Sequence, residues 1–443
     1  MVITILSFLG VIIVVILAHE IGHFTTAKLT GVKVEEFGLF YPPRLFSIKR
    51  GDTIYSINAL PLGGFVKMAG EEDPDAPGSL AAKSILVRLL VLGSGSLMNL
   101  LLPFLLLSIA FMVPHDVVTG EVKVDGVAPD SPAASAGIIP GDIIISVNER
   151  EVQNINDIRM YFSLYLGSDI PVVVRHADSS VEEVTLAPRW EYPEGQGPVG
   201  ISVVSWVVVD SISPDSPAAS AGLKRGDAIL IIDGEDLMES IDWEEISTDE
   251  EFQLYVYSRI SDASVITVQH ADLTIEELQL TPYQNLSNGQ ANTNDIEVLV
   301  TSGPIMRENL PFWEAIPRGA NQCVQLMVLF KNGIIGMFTG ALPVDLRGPV
   351  GIAEMSGEFA RAGVSPFLEF ASMISINLGI INLFPLPALD GGRLAFVLLE
   401  FVRRGKRISP RKEWIIHTTG FFLLIAAILA VTYRDILRII SGE

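Results

Sequence analysis

The sequence predicts a polytopic α-helical membrane protein with four spans and a duplicated acidic block between the second and third. Three observations lead there. The 443 residues are 49% hydrophobic and 19% charged, yet the formal net charge is −22, with a mean hydropathy of +0.43. Such values coexist only if apolar and acidic residues are segregated. Four windows, Val2–Ala18, Leu89–Val113, Phe367–Pro387 and Trp414–Tyr433, are nearly free of charge. Each is about 17–25 residues long, enough to cross a ~30 Å hydrocarbon layer. Finally, a nine-residue stretch recurs unchanged inside the acidic block.

This segregation excludes a soluble enzyme, a disordered chain and a nucleic-acid binder. The lone cysteine, Cys323, excludes an internal disulfide framework and a cysteine-rich metal cluster. The first window has no basic residue before its apolar run and ends in His19-Glu20-Ile21-Gly22-His23, not in small residues. It therefore reads as a retained span and not a cleaved signal peptide.

Charge in the loops sets the expected orientation. Residues 393–412 carry seven basic residues against Glu400 alone, and residues 28–91 carry eight basic and seven acidic residues. Residues 115–365 carry 13 basic and 38 acidic residues. The first two segments are expected in the cytoplasm and the third outside, which places both termini outside as well.

The outer block reads Pro-Asp-Ser-Pro-Ala-Ala-Ser-Ala-Gly at 129–137 and again at 214–222. Each copy is followed by Gly-Asp and an apolar run: Gly141-Asp142-Ile143-Ile144-Ile145 and Gly226-Asp227-Ala228-Ile229-Leu230-Ile231. Asn148 and Asp233-Gly234 supply turn chemistry. A period of 85 residues is too long for a solenoid, so two small tandem domains are expected. The stretches resemble the signature of bacterial PDZ domains. The physical sense is a short helix begun at Ser131-Pro132 and closed at Gly137. Polar, turn-rich residues follow up to about 310. Then Trp313, Ile316, Val324, Met327, Val328, Phe330, Ile334, Ile335 and Phe338 recur at helical spacing, broken by Arg318, Asn321, Gln322, Lys331 and Asn332. An amphipathic helix on the membrane surface fits this pattern better than a fifth span.

The chemical signal is His19-Glu20-Ile21-Gly22-His23. Histidines at i and i+4 lie on one helix face, within reach of one metal ion, and Glu20 beside them can take a proton from a water that the metal activates. Nitrogen donors with an open position suit zinc. Ionisable groups inside an apolar span are costly and usually functional. A catalytic zinc site wants a third protein ligand. Of the remaining histidines, His115, His176 and His270 fall in or beside the outer block, and His417 reads as a bundle histidine of the last span. Asp390 is the better candidate. It ends Asn382-Leu383-Phe384-Pro385-Leu386-Pro387-Ala388-Leu389-Asp390, where two prolines break the third span, and irregular backbone at that depth is tolerated only within protein or beside water. The first and third spans both run inward, so all three residues lie toward the same side.

Over nearly its whole length the sequence resembles the bacterial site-2 proteases of the regulator of sigma-E protease (RseP) type. The motifs are His19–His23, the stretch Asn382–Gly391, Pro61-Leu62-Gly63-Gly64-Phe65-Val66-Lys67-Met68, Gly348-Pro349-Val350-Gly351-Ile352-Ala353 and the tandem PDZ-like insert. One departure is Gly93-Ser94-Gly95-Ser96-Leu97-Met98-Asn99, where the family pattern has a proline before Asn99. The resemblance implies a zinc metalloprotease that cuts transmembrane helices within the bilayer. His19, His23 and Asp390 would ligate Zn2+ and Glu20 would act as general base and then acid. Asn382 would bind substrate, its alternative being a helix–helix hydrogen bond. Residues 53–68, where Thr53–Ile57 alternates as a strand, would form a membrane-associated β-sheet able to pair with unwound substrate.

The expected organisation is a membrane region over 1–114 with the β-rich loop, PDZ-like domains over 115–200 and 201–284, a linker with amphipathic membrane-surface helices over 285–365, and a second membrane region over 366–443. Expected partners are the lipid bilayer and single-span substrates of the anti-sigma factor or remnant signal peptide type, with no nucleic acid. The expected location is the inner (plasma) membrane, with the active site toward the cytoplasm. A PDZ-containing scaffold with a non-catalytic metal site is the competing reading. It gives no reason for a glutamate between two ligands.

Overall fold

The computed structural model describes residues 2–71, 73, 75–193, 196–204, 207–214, 216–237, 249–270, 274–281, 298–302, 305–341 and 347–441. The chain divides into two compact units. One comprises Met1–His115, Asn309–Phe330 and Val344–Glu443; the other comprises Asp116–Glu308 and Lys331–Pro343.

The first unit begins with helix α1 (Val2–Leu29), which carries the His19–His23 motif six residues before its end. The long strands β1 (Val34–Arg50) and β2 (Thr53–Met68) follow. Both fold back on themselves, because residues 36–39 pair with 54–57 on one side and with 64–67 on the other. The result is a four-segment antiparallel sheet in which 60–68 pairs on one side only among the described residues. Leu45, Phe46 and Ile48 leave apolar side chains exposed on it. Helix α2 (Ile85–Met112) starts at Ser84, whose side chain accepts the Val87 N–H. It runs unbroken through Ser96, where the family pattern has a proline. Helices α1 and α2 meet at glycine: a methyl group on Gly22 would lie 2.3 Å from the Ser94 carbonyl oxygen. Close backbone approach through small residues is how apolar helices associate where no hydrophobic effect drives them together.

The second unit holds β3 (His115–Val118), β4 (Val122–Val127), α3 (Pro132–Ser135), β5 (Ile143–Val147), β6 (Arg150–Glu151), α4 (Ile155–Leu164), β7 (Ile170–Arg175), β8 (Val181–Leu186) and β9 (Ile201–Val204). After these come β10 (Val207–Ile212), α5 (Pro217–Ser220), β11 (Ala228–Ile232), β12 (Glu235–Asp236), α6 (Asp249–Asp262), β13 (Val265–Gln269), β14 (Ile275–Gln279), β15 (Val298–Ser302) and β16 (Ile305–Glu308). Two antiparallel sheets result, ordered β8-β7-β5-β4-β9 and β14-β13-β11-β10-β15, with β6 on β5 and β12 on β11. The sequence repeat is therefore a repeat of topology. Each copy has its own core, one around Phe162, Ile144 and Val172, the other around Ile229, Ile260 and Ile266. Ser131 and Ser216 each cap their short helix, accepting the Ala134 and Ala219 N–H at 3.1 Å. Gly137 and Gly222 leave those helices at φ +86° and +107°, a region that favours glycine.

Then come α7 (Phe312–Thr339), which belongs to the first unit up to Phe330 and to the second from Lys331, and, in the first unit, α8 (Pro349–Ala362), α9 (Val364–Leu383), α10 (Asp390–Val402) and α11 (Pro410–Ser441). Among the described residues, four helices are long and apolar enough to cross a membrane: α1, α2, α9 and Arg411–Arg438 of α11. Each overlaps one of the four windows read from the sequence, although the third window, Phe367–Pro387, runs past the end of its helix at Leu383. Helix α7 is not one of them, and its Phe312, Trp313, Ile316 and Phe338 are exposed. Helices α2 and α9 pack through small residues. A methyl group on Gly379 would stand 3.1 Å from the Ser96 carbonyl oxygen, and Ser375 Oγ donates to the Asn99 carbonyl at 2.7 Å. Buried Glu400 of α10 is neutralised by Arg88 at 2.7 Å and Arg407 at 3.2 Å. Asp435 of α11 accepts the Gly348 and Gly351 N–H groups at 3.1 and 2.8 Å. A carboxylate at a helix N-terminus satisfies amides that have no partner within the helix. That contact explains Gly348, since a methyl group there would lie 2.8 Å from the Asp435 carboxylate.

Candidate metal centre

Helical spacing places His19 and His23 on the face of α1 that turns toward α2. Both are buried, at 9% and 6% exposure. The prolines at 385 and 387 end α9, and the chain restarts as α10 with Asp390 in its first turn. Asp390 Oδ2 lies 3.0 Å from His19 Nε2 and 3.0 Å from His23 Nε2, and the two Nε2 atoms are 3.1 Å apart. The three atoms form a nearly equilateral triangle. Bonds of about 2.0–2.1 Å to a tetrahedral zinc ion would set such donors about 3.3 Å apart, so the group fits one ion with little adjustment.

The ring orientations agree with this. His23 Nδ1 is 2.8 Å from the Val91 carbonyl oxygen. A carbonyl only accepts, so the proton sits on Nδ1 and Nε2 presents a lone pair toward Asp390 and His19. Asn99 approaches the other ring, its amide 3.4 Å from His19 Nδ1. Gly95 lies between these two α2 contacts. A methyl group there would stand 2.3 Å from His23 Nε2 and 2.7 Å from His19 Nε2. Helix α2 can support both histidines only with hydrogen at that position.

Glu20, half-buried, faces the β-sheet. A methyl group on Gly64 would lie 2.8 Å from Glu20 Cγ, so the backbone of the 60–68 segment runs directly beside this carboxylate. Asn382 is buried in the last turn of α9, and no hydrogen bond is recorded for its amide among the described residues. His417 stands apart from the donor group, and its Nδ1 accepts the Ala388 N–H at 3.0 Å.

The structure brings together the three residues read from the sequence as ligands. The supporting contacts from Val91, Gly95 and Asn99 were not foreseen. A carbonyl has no sequence signature. Gly95 and Asn99 do have one, a glycine and an amide one turn apart in an apolar span.

Comparison with known proteins decides the family. The sequence profile of peptidase family M50 matches residues 7–427. The chain belongs to peptidase family M50. It is similar to the regulator of sigma-E protease RseP of Escherichia coli, 30% identical over 458 residues that cover 98% of each chain. It is also similar to the zinc metalloprotease RasP of Geobacillus kaustophilus, 30% identical over 450 residues covering 98% of this chain and 97% of that one. The regulator of sigma E protease of Haemophilus influenzae is 28% identical over 452 residues, 98% of both chains. This M50 chain is an enzyme, a membrane peptidase, and its resemblance to the site-2 proteases extends from one end of the alignment to the other.

Proposed function

We propose that this chain is a zinc-dependent intramembrane endopeptidase in which His19, His23 and Asp390 hold the metal, Glu20 moves the proton and Asn382 holds the substrate backbone. The convergence of two imidazole nitrogens and one carboxylate oxygen within 3.1 Å of one another supports this most directly. Zinc, when bound, polarises the scissile carbonyl and makes a water acidic near neutral pH. The protein's own residues do the rest. Glu20, fixed next to His19 on the same helix, accepts the proton of the attacking water and returns it to the leaving amine. Asn382, with a free amide, donates to the carbonyl oxygen as charge develops on it. The Asn99 amide nitrogen lies 3.4 Å from His19 Nδ1; with that amide turned over, its oxygen accepts the Nδ1–H that a neutral, metal-binding His19 carries. This fixes that ring as Val91 fixes His23.

An α-helix hides its peptide bonds, so substrate must be unwound before it is cut. The 60–68 segment, beside Glu20, pairs on one side only among the described residues, and an extended substrate added there as a strand brings its backbone to the base. The substrate class consistent with this is a single-span membrane protein, of the anti-sigma factor or remnant signal peptide type. The loop charges support an inner-membrane orientation with the repeats and both termini outside and the catalytic end of α1 toward the cytoplasm. The two repeats, PDZ-like in signature and identical in strand order, carry no donor cluster among the described residues. They act on substrate access and not on chemistry.

The test uses a model single-span substrate in detergent. Glu20→Gln should retain one zinc per chain and lose cleavage by about 10²–10⁴-fold. A His19→Ala, His23→Ala double variant should lose the metal. Full zinc occupancy in that double variant would defeat the ligand assignment, and wild-type cleavage by Glu20→Gln would defeat the role of the base. Retention of zinc with substrate binding but no cleavage in the wild type would favour the scaffold reading.

A further inference from the structure

We infer that the last helix, α11, is the positioning element for the third metal ligand, and that it acts through His417. The inference rests on Asp390 being that ligand. Asp390 is the only one of the three not carried on the His19–His23 helix, and it sits at the end of a broken, proline-containing turn. Within it the 386–389 turn closes through a long bond, from the Leu389 N–H to the Leu386 carbonyl at 3.3 Å, which leaves the Ala388 N–H to be satisfied from outside. Ala388, two residues before Asp390, has φ +77°, a left-handed conformation that a non-glycine residue keeps only when its surroundings impose it. Its N–H points at α11 and donates to His417 Nδ1 at 3.0 Å.

Two more contacts come from the same turn of α11. A methyl group on Gly420 would lie 2.2 Å from Pro387 Cβ and 3.0 Å from the Pro387 carbonyl oxygen. On the other side of Asp390, a methyl group on Gly392 would stand 3.2 Å from His417 Cε1. His417 and Gly420, three residues apart and hence on one helix face, thus bracket Asp390: they touch Pro387 and Ala388 before it and Gly392 after it. Because His417 Nδ1 accepts, its proton is on Nε2, and that atom is buried without a hydrogen-bond partner among the described residues. The Phe396 ring lies beside this imidazole at 5.4 Å between centroids. A buried N–H left unpaired costs stability. An apolar residue would avoid that cost, but it could not accept the Ala388 N–H. The arrangement makes sense if the contact to Ala388 is what the histidine is there for.

The experiment compares full-length variants in detergent for zinc affinity, by chelator competition, and for cleavage of the model substrate. His417→Leu keeps bulk and removes the acceptor. It should weaken zinc about 10–100-fold, the usual cost of losing a group that orients a ligand, and lower kcat at saturating zinc with little change in KM. His417→Asn, whose amide oxygen can take the place of Nδ1, should stay within about threefold of wild type if acceptor geometry is what counts. Gly420→Ala, which pushes on Pro387 from the same helix face, should weaken zinc as well, while Leu423→Ala at an exposed position of α11 should not. Wild-type zinc affinity in His417→Leu would overturn the inference, as would a loss in His417→Asn equal to that in His417→Leu, because packing alone would then explain both. Should His417→Leu fail to fold, His417→Asn and Gly420→Ala still decide: the first weakened more than tenfold, or the second unchanged, is equally fatal. Asp390→Ala separates this inference from its premise. If Asp390→Ala keeps its zinc, the ligand assignment fails and the inference with it; if zinc is lost there and kept in His417→Leu, only the role of α11 fails.

Discussion

Histidines meet carboxylates at two kinds of place in this chain, and the geometry separates them. At the metal centre, His19 and His23 turn the same nitrogen, Nε2, to one oxygen of Asp390, while their Nδ1 atoms face Asn99 and Val91. In the repeats, His176 lies between two carboxylates, with Nδ1 2.7 Å from Asp142 and Nε2 3.2 Å from Glu182. His270 repeats the arrangement with Asp227 at 2.7 Å and Glu276 at 3.0 Å. Imidazole nitrogens point in opposite directions, so a ring bonded at both ends bridges its partners and cannot gather them around one ion. Convergence, not the presence of histidine and acid, makes the difference. In the repeats the same residue types act as struts: Asp142 also accepts the Ile139 N–H at 3.0 Å, and Asp227 the Lys224 N–H at 2.8 Å, which ties the Gly-Asp turn to the histidine strand.

The sharpest way to break the comparison is to spoil convergence without touching a donor. Gly95→Ala should do so, because the added methyl group would stand 2.3 Å from His23 Nε2. Zinc binding and cleavage should both fall below detection. Gly93→Ala is the control on the same helix, since nothing lies within 4 Å of that methyl group and alanine favours a helix by up to about 1 kcal/mol over glycine. Metal analysis of the two purified variants checks the contrast; equal zinc content would show that the α1–α2 approach is looser than described.

A smaller effect is expected from Asn382→Ala. It leaves the three donors in place, so zinc content should match wild type while kcat falls by ~10²–10³, the typical cost of an oxyanion donor. Single-turnover cleavage with zinc measured on the same sample reads both. Unchanged turnover would return Asn382 to helix packing. Asn99→Leu should act on the metal instead, weakening zinc about 10–100-fold, whereas Asn99→Asp, which places an acceptor oxygen at His19 Nδ1, should retain it. Equal zinc affinity in the two variants would remove Asn99 from the orientation of His19.

Much of this was legible because it is local. Spans follow from apolar runs, the His19–His23 pair from helical spacing, and the repeat from nine identical residues. Asp390 was legible because prolines at 385 and 387 mark an interrupted helix in an apolar region. What could not be read depends on which elements come together. The double pairing of residues 36–39 in the first sheet requires the strands to fold back at 40–45 and 58–60, and nothing in the alternation of Thr53–Ile57 announces that. Val91 contributes a carbonyl, which every residue has. His417 looked like a histidine buried in a bundle, and its partner is a backbone amide of a turn 29 residues away. Glycine seams such as Gly22 with Ser94 or Gly379 with Ser96 show themselves only when the helices cross.

The mildest prediction concerns the struts in the repeats and carries a definite sign. The Asp142 carboxylate, and after it Glu182, hold the His176 imidazolium together, so its pKa is raised above the usual histidine value; Asp227 and Glu276 do the same for His270. A histidine whose pKa is higher folded than unfolded stabilises the fold fully below its unfolded pKa, about 6.5, and loses that contribution as pH rises through the raised value. The repeats should therefore be more stable at pH 6 than at pH 9, with zinc content unaffected by loss of these histidines. Hydrogen exchange of the 143–147, 170–175, 228–232 and 265–269 strands in the full-length protein, corrected for the intrinsic pH dependence of exchange, reads this locally. His176→Gln should flatten the pH dependence in the first repeat alone, and His270→Gln in the second alone. Glutamine can still bond to the aspartate but cannot acquire charge, so what it removes is the pH slope and not the strut. If both variants keep the wild-type slope, some other group sets it, and the two histidines contribute only neutral hydrogen bonds.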